Sequence, residues 1–138
     1  MITSERQLMS TQHKISMLRH NLENFGKVEL PTAYAKLNAP EIQRLIDILE
    51  AEVSKYNATK HMRVAEIAIQ SPDDLMLAPI RYRIAKGMTV EDFARFVNVA
   101  QRQIARYEAL GYQNCSMPTF QKIMAKLQVK LEGRICAA

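Results

Sequence analysis

Gly87-Met88-Thr89-Val90-Glu91-Asp92-Phe93-Ala94-Arg95-Phe96-Val97-Asn98-Val99-Ala100-Gln101-Arg102-Gln103-Ile104-Ala105-Arg106-Tyr107-Glu108 is the stretch that decides how this chain folds. Thr89 can cap a helix, with Asp92 at its third position. Phe93 and Val97 then face inward, and Ala94 lets a following helix approach closely. Asn98 stands where the first helix must turn, and Asn tolerates the left-handed conformation better than most residues. Ala100 opens a second helix, which Ile104 and Tyr107 anchor to a core. That leaves Gln101, Arg102, Ala105 and Arg106 outward, with Gln103 at the edge.

The stretch is therefore two short helices and a tight turn, with amide and guanidinium groups on the outer face of the second. Gln can pair bidentately with adenine, and Arg with the O6/N7 edge of guanine. A helix entering N-terminus first fits a major groove roughly 12 Å wide. A solvated polar face has the same periodicity, so the pattern alone leaves both readings open.

Upstream, Ser71-Pro72-Asp73-Asp74 starts a helix with a cap, a proline at the first position and acids in the first turn. This helix runs toward Lys86, with a bend or restart at Pro79, and Gly87 supplies a left-handed stop. Downstream, Ser116 and Phe120, Ile123 and Leu127 supply the cap and core of a further helix. Its Lys122, Lys126 and Lys130 recur every fourth residue and read as a solvated face.

Residues 80–130 resemble the Cro/lambda-repressor (Xre) type of helix-turn-helix domain. The matching residues are Arg83-Ile84-Ala85-Lys86-Gly87-Met88-Thr89, Phe93-Ala94 and Gln103-Ile104-Ala105-Arg106-Tyr107-Glu108, then Ser116, Phe120, Ile123 and Leu127. The resemblance implies a bundle of about five helices, operator binding as a dimer, and transcriptional regulation, usually repression. Carried over by position, it makes Gln101, Arg102 and Arg106 base readers and Gln103 and Ala105 flanking contacts. Thr89 and the loop Tyr112-Gln113-Asn114 would lie near phosphates. Arg81 and Arg83, one helix earlier, would reach phosphates or stay solvated. Three positions depart from the pattern. Val90 replaces a common Gln, Asn98 replaces the turn Gly, and Ala100 replaces a Ser cap worth about 1 kcal/mol.

The front of the chain is organised differently. Ser4 can cap a helix, with Gln7 as its capping-box partner. Leu8, Ile15, Leu18, Leu22 and Phe25 recur at helical intervals, with Thr11 filling one step, and Gly26 ends the run. A stretch without clear period, residues 27–37, includes Pro31. Asn38 and Pro40 then open a second helix, with Ile42, Leu45, Ile46, Leu49, Val53 and Tyr56 on one face; Glu52 and Tyr56 begin its polar exit. The two helices predict a hairpin. Part of its apolar surface should meet the rest of the chain or a second copy, so Leu8, Ile15, Leu18, Leu22, Ile42, Leu49 and Val53 are the expected interface of a homodimer or another partner. Glu52-Val53-Ser54-Lys55-Tyr56 also fits the ending of an N-terminal region in one subgroup of the resembled family, in which HigA-like antitoxins occur. That resemblance implies an alternative: an antitoxin whose front half clamps a toxin while its reader represses the shared operon. Arg63-Val64-Ala65-Glu66-Ile67-Ala68-Ile69-Gln70 has period 2 and reads as either a short strand or an extended linker.

The expected architecture is all-α. A helical hairpin fills residues 1–60, a linker residues 61–71, and a five-helix lambda-repressor-like domain residues 72–138. A hydrophobic fraction of 48% argues against disorder. The formal charge of +5 and pI near 9.4 favour an acidic partner, nucleic acid first. The excess is uneven: residues 71–138 hold 10 Lys and Arg against 6 Asp and Glu, the first 70 residues 9 against 8. Double-stranded DNA with an inverted-repeat operator is the expected partner. Cys115 and Cys136 lack metal-ligand partners at useful spacing and read as free thiols in a reducing cytosol. No run approaches the roughly 20 apolar residues of a membrane span, and the first residues lack a signal peptide's apolar core, so a cytoplasmic protein is expected. Paired carboxylates in a cleft, a nucleophile with its base, a phosphate-cradling Gly loop and metal spacing are all missing. The expectation is a non-enzyme without cofactor or metal.

Overall fold

The computed structural model describes residues 1–25, 34–62 and 66–138. Every regular element among them is a helix: α1 (Glu5–Glu23), α2 (Ala39–Lys60), α3 (Pro72–Met76), α4 (Ala78–Ala85), α5 (Val90–Val97), α6 (Gln101–Ala109) and α7 (Met117–Lys126). The chain divides into two compact units, Met1–Met62 and Arg63–Ala138.

The first unit is the hairpin of α1 and α2. The Gln7 N–H donates to the Ser4 hydroxyl. The Gln7 side chain, however, accepts from the Thr3 N–H and hydroxyl at 2.7 and 3.0 Å, not from the cap residue itself. Asn38 Oδ1 caps α2 by accepting from the Glu41 N–H at 2.9 Å. Ile15, Leu18, Ile42 and Ile46 form the buried core, with Leu22, Leu45, Leu49 and Val53 half-buried against it. Each fully buried side chain contributes about 1.5–3 kcal/mol. At the hairpin's open end the Tyr56 hydroxyl donates to Glu5, which also pairs with Lys60.

Several sequence expectations change here. The residues assigned to a partner interface are largely consumed within one chain. Leu8, Ile15, Leu18 and Ile42 are buried, and Leu22, Leu49 and Val53 pack on the hairpin's own core. Helix α1 stops at Glu23, with Asn24 donating its side-chain amide to the His20 carbonyl. Phe25 consequently falls past the helix and is exposed. Tyr56 is buried and does not begin a polar exit. Tyr34 and Leu37, in a stretch with no period, add to the core. Gly26, Pro31 and residues 63–65 lie outside the described residues. Residues 66–69 form no strand, since a ladder needs a neighbour and none is present among the described residues.

The second unit packs five short helices. The helix expected from Pro72 toward Lys86 is two, with Pro79 in the first turn of α4, where its missing N–H costs little. Ile80, Ile84, Phe93, Val97, Ile104, Tyr107, Tyr112, Phe120, Ile123 and Leu127 are buried. Tyr107 and Tyr112 stack with ring centres 5.5 Å apart, and Phe120 meets Tyr112 edge-on at 6.2 Å.

Candidate nucleic-acid interface

Helix α5 begins with a closed capping box. The Asp92 N–H donates to Thr89 Oγ1 at 3.1 Å, and the Thr89 N–H donates to Asp92 Oδ2 at 3.2 Å. That backbone hydrogen bond, followed by the Thr89 side chain's, holds the Asp92 carboxyl below its ordinary pKa. The helix buries Phe93, Ala94 and Val97. Its end is left-handed at Asn98 (φ 56°, ψ 47°), and the Val99 N–H reaches back to the Ala94 carbonyl at 3.0 Å. Asn is the tolerable non-glycine choice there. The chain then rises through Ala100, in extended conformation and without a side-chain cap, into α6.

One side of α6 is pinned. Ile104 is fully buried and Tyr107 nearly so. The opposite side carries Gln101, Arg102, Ala105 and Arg106, all exposed, with Gln103 half-buried at the margin. The three residues expected to read bases, Gln101, Arg102 and Arg106, thus lie exposed along one helix edge.

The single carboxylate of α6 does not disturb that edge. Glu108 turns inward and pairs with Arg83 of α4: Arg83 Nε and Nη2 donate to Oε2 and Oε1 at 2.7 and 2.6 Å. The two side chains are 4% and 6% exposed. Arg83 Nη1 also donates to the Met88 carbonyl at 3.0 Å, so the fork ties α4, α6 and the α4–α5 connection together. With Glu108 paired to Arg83, Arg102 and Arg106 are the charges of α6 that form no ion pair among the described residues.

This geometry corrects the expectation for Arg83, which neither reaches a phosphate nor stays solvated. Its position was marked in the sequence, since Arg83 lies on the same helical stripe as Ile80 and beside Ile84. Tyr112 is likewise withdrawn from the surface. Its ring is fully buried in the aromatic stack, its backbone is left-handed (φ 62°), and its hydroxyl has no hydrogen-bond partner among the described residues. Burial pushes the Tyr112 phenol pKa upward. The other expected backbone contacts remain near the surface. Thr89, Gln113 and Asn114 are exposed, and Arg81 is half-buried with a long bond to the Ala68 carbonyl. Gln113 Nε2 donates to Asp73 at 3.1 Å, and Asn114 Nδ2 to the Arg106 carbonyl at 3.3 Å. The Asn114 bond fastens the loop to α6.

Arg95, which the sequence reading passed over, is exposed on α5 and pairs with Asp92 at 3.0 Å. It lines a shallow depression with Asn98 and Gln101, beside the reading edge.

Among the described residues, no group of three or more His, Cys, Asp or Glu could hold a metal ion, and no helix is long and apolar enough to cross a membrane. Cys115 is half-buried and Cys136 exposed, both free. Residues 80–133 match the helix-turn-helix family model, a span running from α4 to beyond α7. No curated protein and no solved structure matches the chain.

Proposed function

Residues 80–133 form a helix-turn-helix domain of the Cro/C1 type, a fold of DNA-binding transcription regulation, and from that premise we propose that the protein is a sequence-specific repressor. Helix α6 enters the major groove of double-stranded DNA. Arg102 and Arg106 pair with guanine edges, Gln101 reads the first base of the half-site, and Gln103 contacts its margin. Thr89, Gln113 and Asn114 approach phosphates, which fix the register of the helix without reading sequence. Two copies bind an inverted repeat, so that protein and operator share a two-fold axis.

One observation carries this reading. Helix α6 is anchored by Ile104 and Tyr107 and has its only acid consumed by Arg83, while Arg102 and Arg106 stand exposed on the opposite side. A merely solubilising helix has no need of an inward-turned carboxylate and two free guanidinium groups on one edge.

The test is affinity for DNA selected by the protein from a random pool. Arg102→Ala and Arg106→Ala should each weaken binding by about 1–3 kcal/mol and relax preference at one base position. Circular dichroism should not change, because both side chains are exposed. Undiminished affinity in both variants contradicts the proposal.

A further inference from the structure

The second unit leaves its last residues unused by the helical core. Beyond Gln128, whose backbone is left-handed (φ 53°), residues 129–138 contain no helix, and among the described residues their backbone groups make no hydrogen bonds with other backbone groups. Yet Val129-Lys130-Leu131-Glu132-Gly133-Arg134-Ile135 alternates apolar and charged residues, the period of a half-buried strand. Val129 and Leu131 line one wall of a groove of about 780 Å³, whose other walls include Ile67, Tyr82 and Met124. The apolar side chains are poorly covered: Val129 is 38% exposed, Leu131 58% and Ile135 fully so.

We infer that this tail is a dimerisation strand, pairing antiparallel with the same tail of a second copy about a two-fold axis through Gly133. Charge and chirality select that register. In an antiparallel pair, directly opposed residues share a face, so an axis lying between two residues would set Leu131 or Ile135 against a charged side chain. An axis at Glu132 would set Glu132 against its own copy and Lys130 against Arg134, like charges face to face. An axis at Leu131 would stop short, because lengthening it requires Gln128, whose left-handed backbone cannot continue a strand. With Gly133 on the axis, Glu132 opposes Arg134 of the second copy and Leu131 opposes Ile135, each pair occurring twice. The period-2 tail gains hydrogen-bonded neighbours, and the exposed Ile135 covers the open rim beside Leu131.

The inference deepens the proposed function, since it names the surface that joins the two readers; it is tested without DNA so that the two can fail separately. Self-association of the full chain is followed by sedimentation equilibrium. Glu132→Arg and Arg134→Glu should each weaken it at least about tenfold, since each creates two like-charge pairs. The double variant, Glu132→Arg with Arg134→Glu, should restore it to within about threefold of the original. Mixing the two single variants should give preferential hetero-association. A monomeric wild-type chain, single variants that associate like wild type, or a double variant that stays dissociated would each overturn the inference. Base preference measured on an isolated half-site reports on the reader independently.

Discussion

The hairpin and the helix-turn-helix domain solve the same problem with opposite means. The hairpin has two helices of 19 and 22 residues, and a core of Ile and Leu runs along both. Its ion pairs, Arg19–Glu50 and Lys60–Glu5, stand at the surface, where such pairs contribute little. The second unit has helices of five to ten residues, too short to be stable alone. It relies on tertiary devices: left-handed turns at Gly87, Asn98 and Gly111, an aromatic stack, and the buried Arg83–Glu108 fork. Short helices joined by tight turns let α6 expose a whole edge while its other side remains fixed. Stability in the reader is concentrated in a few specific contacts, whereas in the hairpin it is spread along a stripe.

Breaking each unit at its centre is the strongest test of that contrast. Glu108→Ala removes the carboxylate that Arg83 pairs with inside the domain, and should cost about 3–5 kcal/mol in urea unfolding. Leu18→Ala should cost about 2–5 kcal/mol through the cavity it leaves in the hairpin. Arg19→Ala, by contrast, should cost at most about 1 kcal/mol. A Glu108→Ala loss no larger than that of Arg19→Ala would contradict the assigned role of the fork.

A smaller effect has the opposite sign. The buried Tyr112 hydroxyl has no partner among the described residues, and an orphaned polar group costs about 1–3 kcal/mol. Tyr112→Phe should therefore match or exceed the parent's melting temperature while keeping the aromatic stack. A clear loss of stability would reveal a hydrogen bond that the geometry lacks.

The smallest change sharpens the reader itself. Ala100 sits at the N-cap of α6 in an extended conformation that Ser adopts readily. Ala100→Ser should stabilise the chain by about 1 kcal/mol in thermal unfolding. Unchanged or lower stability would mean that the turn cannot direct a hydroxyl toward α6.

What the sequence made legible follows from how local each device is. The stripes of α1 and α2, the Thr89–Asp92 capping box and the left-handed Asn98 each depend on residues a few positions apart. The outward edge of α6 followed from the spacing of Ile104 and Tyr107. The Arg83–Glu108 pair spans 25 positions and appears only when α4 meets α6. Tyr112 sits among Gly, Gln and Asn, where its ring looks like part of a polar loop; only packing against Tyr107 and Phe120 draws it inside. Tyr34 and Leu37 join the hairpin core from a stretch with no period to betray them. The apolar stripes were visible, but whether they faced each other or a partner was not, because periodicity identifies a buried face without identifying what buries it.

Selecting bound fragments from random double-stranded DNA with the 138-residue chain tests the central claim most directly. The account predicts an enriched inverted repeat, with half-sites about 10 bp apart or a multiple of that spacing, and loss of the enriched bases when Arg102 and Arg106 are replaced by alanine. Binding that depends only on salt, with no sequence enriched, would contradict it.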